Sequence, residues 1–190
     1  MVLSETHKFI FIHIYKTAGS SISHALQPYA KSLDPQIYPT HIRASELASI
    51  LGEQTYNTFF SFAFVRNPWD WQVSLYTYML TNHDHRQHNL VRSFGNFERY
   101  LVWRCDKEVR FQKDFIFSQN GDRLVNFIGK YERLDGDFAE ICTRIGISAS
   151  IPKLNVSKTK PYQEYYTPET VELVRQTFAP DIGIFKYDFE

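Results

Sequence analysis

The sequence predicts an α/β fold, with a central, mainly parallel sheet flanked by helices in a single domain spanning residues 1–190. Three observations lead to it. Two short, nearly continuous apolar runs, FIFIHIY at 9–15 and FFSFAFV at 59–65, have the β-branched and aromatic content of strands buried on both faces. Each run passes through a short polar loop into a helical apolar stripe, and strands alternating with helices mark this class. Finally, 43% hydrophobic and 16% aromatic residues in a 190-residue chain supply a core without staples, burying roughly 70% of the unfolded surface.

The elements follow in order. After the first run comes KTAGSS, then SISHALQPYA, where Ile22, Ala25 and Leu26 recur at i, i+3, i+4; this places a helix N-terminus at the end of a central strand. Residues 45–51 predict a short helix with Ser45 as its cap. The second strand leads into RNP, with Asn67 suited to the N-cap and Pro68 to the first helical position. Val73, Tyr76 and Leu80 continue that helix. The polar stretch NHDHRQHN at 82–89 reads as a loop, and Phe94, Phe97 and Leu101 as a helix reaching Trp103. Asn120-Gly121-Asp122 is a turn signal for a strand pair within 114–128. Phe138, Ile141, Cys142 and Ile145 define a helix over 135–145, with Gly146 at its C′ position. A last helix opens at Thr167-Pro168, turns Val171, Val174 and Phe178 inward, and stops at Pro180.

Charge excludes some functions. Twenty-one basic and 21 acidic side chains give a formal net charge of zero, which argues against a generic nucleic-acid or polyanion binder. Two cysteines, Cys105 and Cys142, form neither a CxxC motif nor a disulfide framework. The N-terminal residues lack signal-peptide architecture, and no apolar run approaches the roughly 18 residues of a membrane span, so a cytoplasmic protein is expected. The sequon Asn155-Val156-Ser157 is coincidental in that setting.

Two constellations carry chemistry. Lys16-Thr17-Ala18-Gly19-Ser20-Ser21 combines small residues, backbone donors, hydroxyls and one cation at a strand–helix turn, the requirements of an oxyanion site. It is not a Walker loop, because the lysine precedes the glycine. A plain strand–helix turn with an incidental lysine is the structural alternative. In the second constellation, Arg66 leaves the end of a buried strand, where a charge is costly unless it meets an anion. Ser74 lies eight residues on, within the following helix. An arginine paired with Asp70 is the structural alternative there.

Together the two segments resemble the phosphosulfate-binding and 3′-phosphate-binding elements of sulfotransferases, which use 3′-phosphoadenosine 5′-phosphosulfate (PAPS). The resemblance continues through DRLVNFIGKYERLDGDF at 122–138. It extends over 155–189, which is similar to the C-terminal signature of the carbohydrate-type (Golgi-like and bacterial) branch. Two positions depart from the pattern: Tyr15 stands where a proline usually precedes the lysine, and Lys130 where an arginine is common.

The resemblance implies a P-loop-like sulfotransferase fold and transfer of a sulfuryl group to a hydroxyl of a carbohydrate or glycosylated small molecule. It implies that Lys16 contacts the transferring group and offsets charge on the leaving phosphate. Thr17, Ala18, Gly19, Ser20 and Ser21 would bind the 5′-phosphosulfate through N–H and hydroxyl groups. Arg66 and Ser74 would hold the 3′-phosphate. Lys158, Lys160 and Tyr162 lie in a segment that could close over the nucleotide; Lys153, Lys158 and Lys160 against Glu164 give residues 151–166 a local charge of +2.

The base must come from elsewhere. Of seven histidines, His13 and His24 read as structural parts of the first strand and helix. His41, in THIRASEL, resembles a histidine that related enzymes place near the acceptor and is the expected base, with Asp70, His83 and Asp84 in reserve. His83, Asp84, His85 and His88 fit no standard zinc spacing, and no metal is needed. Trp69, Trp71 and Trp103 are candidates for stacking on adenine or sugar, with core packing the alternative. The acceptor pocket is expected in loops 29–44, 83–96 and 104–113. Two rival functions are a P-loop-like ATP-dependent kinase, disfavoured by the misplaced lysine, and a non-catalytic nucleotide- or glycan-binding relative.

Overall fold

In a computed structural model the described residues are 1–31, 33–152 and 160–190; Lys153 and Lys158, like the sequon at 155–157, lie outside them. Contacts group the chain into two compact units, Met1–Val65 with Gln112–Val156, and Arg66–Phe111 with Ser157–Glu190.

The first unit holds the sheet, in the order β1 (Val2–Ser4), β2 (Phe9–Ile12), β3 (Phe60–Val65), β4 (Phe127–Lys130). β1 pairs antiparallel with β2. The other two pairings are parallel, with Ile12 opposite Ala63 and Val65 opposite Lys130. The expected mainly parallel sheet is therefore present, and β2 is buried on both faces. Phe9, Phe11, Phe62 and Phe64 pack with Ile22, Ala25 and Leu26 of α1 (Gly19–Leu26). Phe138, Ile141, Cys142 and Ile145 of α7 (Leu134–Ile145) complete the same core. Burying such a side chain contributes about 1.5–3 kcal/mol.

The same unit contains α2 (Ala44–Leu51) and α3 (Glu53–Tyr56). α2 is capped by Arg43 rather than Ser45; the Glu46 carboxylate accepts the Arg43 N–H at 3.1 Å. Gly146 ends α7 with φ 68°, the left-handed cap its position predicts. Beside β4, Asp137 accepts the Lys130 N–H at 2.7 Å, tying the strand exit to α7.

The second unit is helical: α4 (Pro68–Thr81), α5 (His88–Ser93), α6 (Phe97–Lys107), α8 (Pro168–Thr177) and α9 (Ala179–Phe185). Asn67 caps α4, accepting the Trp69 N–H at 3.0 Å. Trp69 and Trp71 are fully buried, Trp71 edge-on to Phe178 and the Trp69 indole N–H donating to the Val171 carbonyl at 3.0 Å. Trp103 lies against Phe94 and Tyr100. All three tryptophans thus pack within this unit.

Several expectations need correction. Strand pairing stops at Ile12, so His13, Ile14 and Tyr15 belong to the loop. Residues 117–123 make one antiparallel bridge, Phe117 with Arg123, instead of a strand pair; the strand in this region is β4, which aligns parallel to β3. The polar stretch 82–89 is a loop up to Gln87, and its last two residues open α5, anchored by buried Val91 and by a 3.0 Å contact between His88 Nδ1 and the Met79 carbonyl. Pro180 does not end the last helix: α8 ends at Thr177 and Pro180 sits in the first turn of α9, where its missing N–H breaks no bond.

Candidate active site

β2 and β3 run parallel, so both leave the same edge of the sheet. At the β2 exit the chain takes positive φ at Lys16 (65°) and Ala18 (64°) but not at Thr17. Such alternation turns successive N–H groups toward one side and makes an anion-binding concavity. Ala18 is the N-cap of α1 and offers no side-chain cap bond, and no acidic residue occupies the first turn. No carboxylate in the first turn therefore offsets the partial positive charge of the helix N-terminus. Lys16 is half-buried, Ser20 exposed and Ser21 buried. Thr17 is fully buried and its hydroxyl donates to the Ile14 carbonyl at 2.7 Å. That commits its proton to the loop itself, leaving the backbone N–H as its donor toward an anion.

Gly19, the first residue of α1, meets the ring of His13. A Cβ built on Gly19 would stand 1.8 Å from His13 Cδ2 and 1.9 Å from Nε2. His13 is 7% exposed and stacked on Phe11 with ring centres 5.8 Å apart. Burial, with a smaller contribution from His41, pushes its pKa down to about 3, so the ring is neutral at pH 7.

His41 belongs to the same unit. Its Nδ1 lies 2.8 Å from the His13 carbonyl oxygen. A carbonyl only accepts, so Nδ1 carries the proton and the neutral ring keeps its lone pair on Nε2. The rings of His13 and His41 are 4.6 Å apart, and Tyr15 meets His41 edge-on at 5.9 Å. Tyr15, at the proline position of the pattern, also packs edge-on against Phe115 at 5.9 Å. Partial burial lowers the His41 pKa, opposed by the bond to the His13 carbonyl. The chain's N-terminal ammonium, donating to the Thr40 carbonyl at 2.7 Å, lowers it further. The arrangement is that of a neutral base.

In the second unit, Arg66 forms a two-pronged pair with Asp70: Nε to Oδ2 at 2.7 Å and Nη2 to Oδ1 at 2.9 Å. The two side chains are 13% and 20% exposed. Ser74 is half-buried on α4. Lys160 donates to the Glu164 carbonyl at 2.9 Å and lies 4.7 Å from the Tyr165 ring centre. The Tyr162 hydroxyl donates to the Glu190 carbonyl at 2.8 Å. Of the reserve bases, Asp70 is engaged by Arg66, and the His83 ring is tilted against that of His88 with centres 4.6 Å apart. His24 is exposed on α1. Among the described residues no group of three or more His, Cys, Asp or Glu side chains is placed to hold a metal ion. No helix among them is long and apolar enough to cross a membrane.

Reading the sequence missed the part His13 plays here. Its strand-like surroundings signalled a buried residue, and nothing local signals its contact with Gly19 or with His41.

Comparison with known proteins relates this chain to a family, to a curated relative and to a solved structure. The model of the sulfotransferase family matches residues 1–188. An uncharacterized protein of Archaeoglobus fulgidus is 28% identical over 115 residues, 60% of this chain and 91% of that protein. The crystal structure of mouse sulfotransferase SULT7A1 complexed with PAP aligns with a TM-score of 0.48 and 15% identity. That alignment covers 95% of this chain and 86% of the mouse chain.

Proposed function

The chain belongs to the sulfotransferase family and is a PAPS-dependent enzyme; from that premise we propose that it sulfates a hydroxyl of a carbohydrate or glycosylated small molecule, with His41 as base and Lys16 at the leaving phosphate. The observation that carries the proposal is the bond from His41 Nδ1 to the His13 carbonyl at 2.8 Å. It leaves Nε2 as a neutral proton acceptor in the same unit as the 16–21 loop.

PAPS supplies an activated sulfuryl group whose leaving group is adenosine 3′,5′-bisphosphate. The loop suits it: two left-handed residues, an uncapped helix start and no first-turn carboxylate favour an anion there. Lys16, the N–H groups of Thr17, Ala18 and Gly19, and the hydroxyls of Ser20 and Ser21 hold the 5′ end. Arg66 and Ser74 take the 3′-phosphate, with the Arg66 guanidinium held in place by Asp70 along its Nε–Nη2 edge. Lys158, Lys160 and Tyr162 complete the donor site; of these, Lys158 lies outside the described residues.

His41 Nε2 takes the proton of the acceptor hydroxyl as its oxygen bonds to sulfur. The bond from sulfur to the bridging oxygen breaks, and Lys16 offsets the charge left on the phosphate. The carbohydrate assignment rests on the resemblance of residues 155–189 to the carbohydrate-type branch.

The test is transfer from labelled PAPS to a panel of hydroxyl-bearing acceptors. Sugars and glycosides are expected to be labelled in preference to simple phenols and alcohols. Lys16→Ala is expected to lower turnover by about 10²–10³-fold. Arg66→Ala is expected to weaken adenosine 3′,5′-bisphosphate binding by roughly tenfold or more while affecting AMP little. An unchanged rate in Lys16→Ala overturns the mechanism, and labelling confined to non-carbohydrate hydroxyls overturns the acceptor class. Greater thermal stabilisation by ATP with Mg²⁺ than by adenosine 3′,5′-bisphosphate would instead favour a kinase.

A further inference from the structure

We infer that His13 is a positioning residue for sulfuryl transfer, acting on the donor loop through Gly19 and on the base through His41; this rests on the roles proposed for that loop and for His41. Three contacts meet at this one residue. Its ring fills the volume that any side chain at position 19 would need, with Cδ2 1.8 Å and Nε2 1.9 Å from the ideal Cβ. Its carbonyl oxygen accepts from His41 Nδ1 at 2.8 Å. Its ring lies 4.6 Å from that of His41, inclined at 66°.

Glycine is not required at position 19 by backbone angle, because φ there is not positive. Space is what excludes a side chain. The first turn of α1 therefore approaches the end of β2 as closely as an imidazole edge against a bare Cα allows. That closeness sets where the first N–H groups of the helix stand relative to the strand end bearing His13. The same residue then sets where His41 stands, so donor loop and base share one reference point.

Packing alone does not account for an imidazole here. Among the described residues His13 Nδ1 is buried without a hydrogen-bond partner, and a buried polar atom left so is destabilising. An aliphatic side chain would complete the contact with Phe11 without that cost. The short, flat five-membered ring fits the space over Gly19 while its edge meets His41.

The experiment is a double-mutant cycle on the full chain with Gly19→Ala, His13→Ala and the pair, read by kcat, KM for PAPS, adenosine 3′,5′-bisphosphate binding by calorimetry, and Tm. Gly19→Ala is expected to weaken bisphosphate binding at least tenfold, since the methyl must displace the ring. The pair is expected to recover at least threefold of that loss, because removing the ring makes room. His13→Ala alone is expected to lower kcat about tenfold and change KM for PAPS less than threefold, the signature of a disturbed base rather than lost donor affinity. If Gly19→Ala does not fold, the pair compared with His13→Ala carries the test, because the vacated space should accept the methyl and preserve folding and binding. A pair no better than Gly19→Ala, or a pair that neither folds nor binds, overturns the inference. So does a His13→Ala enzyme with reduced Tm and unchanged kcat. Failure of the wild-type chain to bind the bisphosphate or to use PAPS would sink the proposed function instead. The Tm coupling between positions 13 and 19 remains readable in that case.

Discussion

At His41, one backbone contact decides what a side chain can do. The His13 carbonyl accepts the Nδ1–H and leaves the lone pair on Nε2, while partial burial holds the pKa below the ordinary 6.5. The base form therefore survives below pH 6.5, and the acid limb of kcat/KM for sulfuryl transfer is expected below that value. His41→Asn is expected to lower kcat about 10²–10⁴-fold; a pH–rate profile with an acid limb at or above 6.5 would contradict the assignment. His13 titrates in the service of stability. Its folded pKa of about 3 lies below the unfolded 6.5, so the unfolded chain binds more protons between those values. The stability it contributes is complete above pH 6.5 and drains as pH falls toward 3. From pH 7 to 5 this amounts to about 2 kcal/mol. Urea unfolding at the two pH values should show a loss in the wild type that is smaller in His13→Gln. An equal loss in both would place the proton uptake elsewhere.

Elements differ in how openly the sequence declares them. α7 is fully legible: its four apolar positions repeat with helical spacing, all are buried, and Gly146 caps it in the left-handed region. Phe138→Ala is expected to cost about 3–5 kcal/mol, seen as a lower urea midpoint with an unchanged m-value. A loss under about 1 kcal/mol would show that Phe138 is not a core residue. α4 is equally legible from Asn67 and Pro68. β1, only three residues long, has too little pattern to be seen. β4 hides for a related reason, since Phe127–Lys130 is short and carries Gly129, whose added Cβ would stand 2.5 Å from the Phe64 ring. α5 was invisible because only His88 and Val91 of its six residues are buried. Where one or two contacts hold an element, periodicity has nothing to repeat.

On the scale of the whole molecule, 21 positive and 21 negative side chains cancel, so function depends on where cations are placed rather than on a broad field. Lys16 follows the β2 exit and Arg66 follows Val65 at the end of β3. A chain of zero net charge offers no general attraction to a polyanion, so short neutral glycans are expected to outperform long, highly sulfated polymers as acceptors. Initial rates at matched hydroxyl concentration check this, and a faster rate on the sulfated polymer, suppressed by salt, would contradict it. By itself the sequence determined the α/β class, the strand–loop–helix order, the strand-end loop with its lysine, and the main helix starts. Even the Arg66–Asp70 pair was visible, because the two stand four residues apart across the start of α4. These are matters of burial pattern and near-neighbour chemistry, which a chain carries in its local order. Tertiary structure alone decided that Thr17 spends its hydroxyl on Ile14, that the His13 ring occupies the space beside Gly19, and that His41 keeps its lone pair on Nε2. The last depends on residues 28 positions apart meeting within 2.8 Å. Hydrogen bonds and steric exclusion act over fractions of an ångström, and only the packed fold sets distances that finely.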